Sequence, residues 1–152
     1  MWTVLLHFFI VIGTFLLMEG VAWFTHKYIM HGFLWVWHRS HHQVHGHVLE
    51  RNDLFALVFS IPSVLLIVLG YEIPALALLK FVGYGILLYG VFYFSFHDVI
   101  VHRRIKINFK AKNAYLKRII NAHYQHHRTH TKEGAEAFGF LYAPKKYAGE
   151  KN

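Results

Sequence analysis

Ten of the fourteen histidines in this chain fall into four short groups with the spacing of metal ligands. Two groups have the pattern His-x4-His, and two have the pattern His-x2-His-His. In chain order the groups are His26 and His31; His38, His41 and His42; His97 and His102; and His123, His126 and His127. Neutral imidazole is the commonest protein ligand for metals and suits Fe, Zn, Cu and Ni. The pattern therefore predicts that these ten side chains bind metal.

The number and spacing of the histidines also predict how the metal is held. Ten imidazoles are too many for one ion, so we predict two ions with about five ligands each. An α-helix places residues three or four apart on one face, which suits each His-x2-His-His group. A His-x4-His pair turns through about 140° on an ideal α-helix, so it either serves two neighbouring ions or needs a local distortion. The spacing leaves both possibilities open and does not separate iron from zinc.

Three apolar runs, at about residues 3–24, 54–70 and 73–96, must position these groups. At about 1.5 Å rise per residue and a hydrocarbon core of about 30 Å, the first and third can span a membrane, and the second is at the short end. We therefore predict a single all-α domain over residues 1–152, an integral membrane helical bundle with about three to four spanning helices. The first run has no basic region and no small-residue cleavage site, so we expect a retained anchor rather than a signal peptide.

The basic residues and the histidines share one distribution along the chain. Of the 16 Lys and Arg residues, all but Lys80 lie in residues 25–53 and 97–152, which three spans place on one side of the membrane. The positive-inside rule makes that side the cytoplasm. Thirteen of the fourteen histidines lie in the same two segments, and His7 is the exception. The sequence therefore predicts a histidine-rich cap on the cytoplasmic face.

Composition excludes several classes of protein. The chain contains no cysteine, which rules out disulfides, Fe–S clusters, thiolate-bound zinc and a cysteine nucleophile. The formal charge is +8, but the bases flank the membrane and the histidine groups, so we do not expect nucleic-acid binding. A basic face of this kind can attract an acidic protein or bind anionic membrane lipid. We expect the tail, residues 142–152, to be loosely ordered.

Several polar residues outside the four groups have more than one interpretation. His45, His47 and His130 are interpreted as surface residues or as residues behind the ligands, and whether His45 or His130 binds metal stays open. His7 is expected to be a packing or cavity-facing residue rather than a ligand. Asp98 either orients a ligand imidazole through its other nitrogen or caps a helix. Glu19, a carboxylate within a span, is a functional candidate that otherwise pairs with a base or reaches the interface.

The third apolar run offers small and tyrosine side chains that could form a substrate channel. These residues are Gly83, Gly85, Gly90, Tyr84, Tyr89 and Tyr93. The alternative for each is helix packing, because small residues let membrane helices approach closely.

The four histidine groups, in this order, resemble those of the fatty acid hydroxylase and sterol desaturase superfamily of membrane di-iron enzymes. Flanking segments resemble more specifically the bacterial β-carotene hydroxylases. These segments are HKYIMHGFLWVWHRSHH, ERNDLFALVF, HDVIVH and FGFLYAP, and the resemblance covers about residues 19–144.

The resemblance implies a non-haem centre of two iron ions held by the ten grouped histidines, with no catalytic side chain beyond the ligands. It implies O2 as co-substrate and hydroxylation of β-ionone rings at carbon 3, from β-carotene to β-cryptoxanthin to zeaxanthin. Electrons would come from reduced ferredoxin and its NAD(P)H reductase. The location would be a bacterial inner membrane, with the histidine clusters on the cytoplasmic side and the carotenoid arriving from the bilayer.

Two alternatives stay open. One is a fatty acyl or sterol hydroxylase or desaturase of the same superfamily. The other is a non-enzymatic membrane metal-binding protein. A bis-histidine haem protein is disfavoured, because only His7 lies within a span.

Overall fold

The computed structural model describes residues 2–43 and 49–149, and all regular structure in those ranges is helical. The α-helices are α1 (Trp2–Phe24), α2 (Trp35–His38), α3 (Leu54–Glu72), α4 (Leu79–Tyr93) and α5 (Ala114–His127). Helices α1 and α4 lead directly into π-helical segments, Thr25–Phe33 and Phe94–Val101, the first of which has a kink at Gly32. The prediction of an all-α fold is confirmed.

Three continuous helices are long and apolar enough to cross a membrane: Trp2–Phe33, Arg51–Glu72 and Leu79–Val101. Large apolar side chains are exposed on all three, as in Leu17, Leu57 and Phe92. Apolar surface of this extent is stable only where lipid, rather than water, covers it. The chain is therefore an integral membrane helical bundle, as predicted.

The third spanning helix begins at Leu79, later than the predicted start near residue 73. Pro74 opens a separate 3-10 turn, Pro74–Leu76, which takes up the beginning of the apolar run. Lys80 consequently lies in the first turn of α4, with its ammonium 4.6 Å from the centre of the Tyr71 ring. The one base outside the two long polar segments therefore lies at a helix end.

Helix α4 packs against both α1 and α3, and glycines bring it close to each. A Cβ atom added to Gly83 would lie 2.7 Å from the carbonyl oxygen of Ser63, whose hydroxyl donates to the Gly83 carbonyl at 2.8 Å. A Cβ atom on Gly85 would lie 2.5 Å from Cβ of Thr14. These two glycines therefore serve helix packing and not a channel.

Residues 142–149 of the tail pack on α5, contrary to the expected loose order, and the last three residues of the predicted tail lie outside the described residues. Asn113 caps α5 by accepting a hydrogen bond from the N–H of Leu116 at 2.8 Å. Ile119 of α5 is buried together with Ala143 and Tyr147 of the tail. The tail thus covers the side of α5 that would otherwise leave its apolar residues in contact with water.

The close approach of α4 to α1 gives a testable prediction. Gly85→Ala is expected to lower the free energy of unfolding by about 1–3 kcal/mol, because its methyl group has no space beside Thr14. Thermal unfolding of the purified protein in detergent measures the change. Gly90→Ala is the matched control, since a Cβ there would meet no atom within 4 Å. Equal losses from both substitutions would contradict the packing role.

Candidate metal centre

The ten grouped histidines lie together in two clusters of five. The first site comprises His26, His31, His38, His42 and His126, and the second site comprises His41, His97, His102, His123 and His127. Within each cluster, one ring nitrogen of every histidine lies within 4.8 Å of the others. The structure therefore brings together all ten predicted ligands and divides them equally.

Each half of the chain builds most of one site and gives one histidine to the other. The outer histidines of each His-x2-His-His group join the His-x4-His pair from their own half. The middle histidines, His41 and His126, cross to the opposite site. The first group lies in turns that follow α2, which ends at the first histidine of the group. The second group lies on α5, where residues four apart differ by about 40° in direction and the middle histidine points about 100° away from the last. The middle imidazole is therefore directed towards a different centre.

The π-helical segments explain how a His-x4-His pair serves one site. His26 and His31 both belong to the first site, and His97 and His102 both belong to the second. In a π-helix each backbone N–H bonds to the carbonyl five residues earlier, so residues five apart lie one above the other. The N–H of His102 makes such a bond to the carbonyl of His97 at 2.9 Å. The spacing left open whether such a pair serves two ions or needs a distorted helix, and the structure has the distorted helix.

The outward-facing nitrogen, Nδ1, of every histidine in the first site lies beside an oxygen that can only accept. The pairs are His26 with the carbonyl of Phe138 (3.1 Å), His31 with that of Lys132 (3.0 Å), His42 with that of Thr129 (2.8 Å), His126 with that of Glu136 (2.8 Å), and His38 with the side-chain oxygen of Asn52 (2.7 Å). Each Nδ1 therefore carries the proton of a neutral imidazole, and each Nε2 has a free lone pair.

These lone pairs point at one another. Nε2 of His38 lies 3.0 Å from Nε2 of His26 and 3.2 Å from that of His42. Nε2 of His31 lies 3.3 Å from that of His126. Because the ring proton of each histidine is on Nδ1, the two Nε2 atoms of a pair are both acceptors and repel each other. A cation between them removes the repulsion. The donor set of the first site therefore fits a bound metal ion.

The second site shows the same convergence. Nε2 of His41 lies 3.1 Å from that of His97, and Nε2 of His102 lies 2.8 Å from that of His123. Nε2 of His127 is buried and has no hydrogen-bond partner among the described residues. A buried polar atom without a partner is costly, so its presence here indicates that a ligand completes the site.

Carboxylates lie behind two histidines of the second site. Nδ1 of His97 is 3.1 Å from Oδ2 of Asp98, and Nδ1 of His41 is 3.4 Å from Oε2 of Glu50. Asp98 therefore lies where the orienting interpretation requires, although the longer contact of Glu50 is electrostatic rather than a well-formed hydrogen bond.

Arg104 joins the two carboxylates. Its Nε lies 3.2 Å from Asp98, and its Nη2 lies 3.1 Å from Glu50 and 2.8 Å from Asp53. The guanidinium thereby connects the end of the third span to the start of the second and fixes both carboxylates beside their histidines.

The two sites adjoin each other. The ring of His42 in the first site stacks on that of His127 in the second, with centroids 4.6 Å apart and an angle of 22° between the planes. His38 and His41 approach with centroids 5.5 Å apart. Ions bound in the two sites would therefore be close neighbours.

A small cavity reaches both sites from the membrane side. Its volume is about 20 Å³, enough for one water or a diatomic molecule. Its walls include His26 of the first site, His97 and His123 of the second, and the aromatic rings of Tyr93, Phe96, Phe138 and Phe140. The Tyr93 ring stacks on His97 with centroids 4.6 Å apart. Mostly apolar walls thus enclose the space next to the candidate metal ligands.

Glu19 anchors the segment that forms one wall of this cavity. Its Oε1 accepts hydrogen bonds from the backbone N–H groups of Phe140 and Leu141, both at 2.8 Å, and of Tyr142 at 3.3 Å. Its Oε2 accepts one from the Tyr89 hydroxyl at 2.9 Å. Among the described residues the carboxylate has no basic partner, and its hydrogen bonds hold the FGFLYAP segment against α1 and α4.

Burial keeps five of the clustered histidines neutral, because it lowers the pKa of each of them. Loss of solvation, with repulsion from neighbouring imidazoles, lowers the pKa of His42 to about 4 and that of His102 and His126 to about 3. The pKa values of His38 and His41 are also well below normal for the same reasons. Metal ligation requires neutral imidazole, so these side chains are in the required state at neutral pH.

The remaining histidines lie elsewhere. His130 is exposed and outside both sites. His7 packs against Phe81, with ring centroids 3.8 Å apart, as expected of a packing residue. His45 and His47 lie outside the described residues.

Sequence reasoning identified Asp98 as a possible partner of a ligand but missed the other partners. Glu50, Asn52 and Asp53 form a polar cluster just before an apolar run, and that position was a usable signal. Arg104 directly follows the third span, where a basic residue is expected for membrane orientation alone, so the sequence did not indicate its ion pairs. The four backbone carbonyls of residues 129–138 have no signature in the sequence, since any residue supplies one.

The lowered pKa values predict how the metal-free protein responds to pH. Histidines in the unfolded chain take up protons below pH of about 6.5, whereas those in the fold do not until about pH 4 or lower. The free energy of unfolding should therefore fall as pH decreases from 7 to 4, by up to about 1.4 kcal/mol per pH unit for each such histidine. Thermal unfolding in detergent with a chelator measures it.

His130→Gln is the control for this prediction, because the residue is exposed and outside both sites. It should leave the pH dependence largely unchanged, because His130 is the smallest contributor to the lowered pKa of His42. Constant stability between pH 7 and pH 5 would contradict the neutral, buried state of the cap histidines.

Comparison with known proteins agrees with the geometry. Residues 11–144 match the fatty acid hydroxylase family. The chain is 46% identical over 143 residues to a β-carotene hydroxylase of Pantoea ananas, covering 94% of this chain and 78% of the relative. It is 45% identical to the one of Pseudescherichia vulneris, covering 90% and 76%. A chloroplastic β-carotene 3-hydroxylase of Haematococcus lacustris is 37% identical, covering 90% of this chain and 43% of the relative.

No solved structure matches the chain significantly. The family match covers most of the chain and includes all ten clustered histidines. Together with the bacterial relatives, which align over nine-tenths of its length, it shows that this chain belongs to the fatty acid hydroxylase family and is a relative of the β-carotene hydroxylases.

Proposed function

We propose that this protein is a β-carotene 3-hydroxylase, an O2-dependent di-iron monooxygenase that converts β-carotene to β-cryptoxanthin and then to zeaxanthin. The observation that carries the proposal is the convergence of unprotonated imidazole nitrogens in two adjoining sites at one end of a membrane bundle. The substrate is inferred from the bacterial relatives, which are β-carotene hydroxylases at 40–46% identity.

The ten clustered histidines would hold the two iron ions, five to each. Bound iron supplies the oxidising power needed to attack an unactivated C–H bond, which no protein side chain provides. The protein's contribution is to fix the imidazoles before the metal arrives. The oxygens behind the first site hold its five rings in one tautomer and orientation, and Asp98 and Glu50 orient two rings of the second site, His97 and His41.

The apolar cavity beside both sites is the proposed position of the reacting ring edge. Its walls, which include Phe96, Phe138 and Phe140, suit a hydrocarbon and exclude water. A volume of about 20 Å³ is too small for a whole β-ionone ring, so the ring must displace part of the wall. The segment held by Glu19 supplies part of that wall through Phe138 and Phe140, and we propose that this part moves.

The substrate is expected to come directly from the bilayer. Carotenoids are wholly apolar, and the cavity lies where the third span meets the histidine cap, next to Tyr93 and Phe96. A ring at the end of a long polyene could therefore reach the cavity while the rest of the molecule stays among lipid chains.

The electron donor is proposed to be reduced ferredoxin, served by its NAD(P)H reductase. Between His102 and Glu133 the chain has nine Lys and Arg residues and no Asp or Glu. Such a surface attracts an acidic protein, and it also sets the orientation in the membrane. We accordingly place the histidine cap on the cytoplasmic side of a bacterial inner membrane, in contact with anionic lipid.

Pigment analysis of bacteria that accumulate β-carotene tests this function. Cells that express the intact chain are expected to contain zeaxanthin, with β-cryptoxanthin as the intermediate. His41→Ala removes a ligand of the second site and should abolish both products. His130→Ala, at an exposed histidine outside both sites, should retain them.

The contrary result is unchanged β-carotene. This result contradicts the proposed function if the protein is present in the membrane and a known hydroxylase is active in the same cells. The family match would then favour a fatty acyl or sterol substrate, and lipid analysis of the same cells would examine that alternative.

A further inference from the structure

The two sites differ in the charge that lies behind their ligands. In the first site all five Nδ1 atoms face neutral oxygens, four of them backbone carbonyls and one the amide of Asn52. In the second site His97 faces Asp98 at 3.1 Å and His41 faces Glu50 at 3.4 Å. Two sites with the same five imidazole donors are thus set in unequal surroundings.

The charges behind the second site are shielded from water. The side chains of Asp98, Glu50 and Arg104 are only 13%, 16% and 22% exposed. Together with Asp53, the contacts among the described residues place three carboxylates around one guanidinium, so the carboxylates outnumber the base. Charges that are partly buried are screened little by salt, so they act on an ion in the adjacent site.

A carboxylate beside Nδ1–H also changes the ligand itself. It draws the proton away from the ring and makes Nε2 a stronger donor to a cation. A neutral carbonyl fixes the same tautomer with a smaller effect, because it has no formal charge. Both the ligand strength and the surrounding charge therefore favour a cation in the second site over one in the first.

We propose that the two metal sites are inequivalent, and that the second site binds a divalent ion more tightly and better stabilises the higher oxidation state. The carboxylates of Asp98 and Glu50 act as positioning residues through His97 and His41. Arg104 keeps both carboxylates in contact with their histidines. This inference rests on the metal-binding part of the proposed function and is independent of the substrate.

Titration of the metal-stripped protein with Zn²⁺ tests the proposal. Binding is followed in detergent against a competing chelator of known affinity, and the bound metal is counted by mass spectrometry. The wild-type chain should bind two ions in two steps that differ at least tenfold in affinity. Asp98→Asn combined with Glu50→Gln should weaken the tighter step about 10- to 100-fold and leave the other in place.

Glu136→Gln is the matched control for loss of a carboxylate. The Glu136 side chain is exposed and pairs with Lys146, while only its backbone carbonyl contacts His126. The substitution should leave both steps unchanged, because the carbonyl that orients the histidine remains.

Asn52→Asp tests the converse. It places a carboxylate at the position now 2.7 Å from Nδ1 of His38, so the weaker step should strengthen towards the tighter one. If the double variant does not fold, the comparison of the two binding steps in this variant and in the wild type still tests the proposal.

Two equal steps in the wild-type protein would overturn the inequivalence while leaving the proposed function intact. Failure of the folded protein to bind Zn²⁺ at all would instead remove the metal sites and the function with them. Iron provides an independent readout. The ⁵⁷Fe-loaded wild type should show two Mössbauer doublets, and a single doublet would contradict unlike surroundings.

Discussion

The structure depends on one electrostatic constraint: unprotonated imidazole nitrogens face one another, and because both are acceptors they cannot form hydrogen bonds. Behind the first site, four carbonyls of the 129–138 loop accept hydrogen bonds from the Nδ1–H groups of four histidines. The Nε2 atoms of these rings therefore carry lone pairs and no proton. Burial keeps the imidazoles of the cap from gaining a second proton, as the lowered pKa of His126 shows. A cation at its centre would remove the repulsion between these nitrogens and stabilise the arrangement.

The rest of the fold supplies the means to hold that arrangement. Two π-helical segments at the ends of spans rotate histidines five residues apart onto one face. The exchange of His41 and His126 ties the two halves of the chain together, since neither half can complete its own site. The C-terminal segment then closes the structure, with Glu19 binding its backbone amides from within the first span.

The sequence was most informative where side-chain identity determines the chemistry. Histidine spacing identified all ten clustered residues, and apolar length identified three spanning helices, because both depend only on residue type and order. The sequence could not assign His26 and His31 to one site, since that depends on a π-helical turn that residue type does not specify.

Tertiary contacts account for the other differences. Gly83 and Gly85 fit a channel or a helix contact equally well until the neighbouring helices are known. Glu19 would be exposed to lipid without the segment that wraps over it, and Tyr147 is buried only because α5 offers an apolar face. The carbonyls behind the first site belong to the backbone of a loop whose course no local pattern determines.

Anomalous X-ray diffraction from crystals of the metal-loaded protein, recorded at the absorption edge of the bound metal, tests the central claim most directly. The account predicts two anomalous peaks in each molecule, one enclosed by Nε2 of His26, His31, His38, His42 and His126, and the other by the remaining five clustered histidines. A single peak shared by the two clusters, or a metal bound by other residues while the Nε2 atoms remain empty, would contradict it.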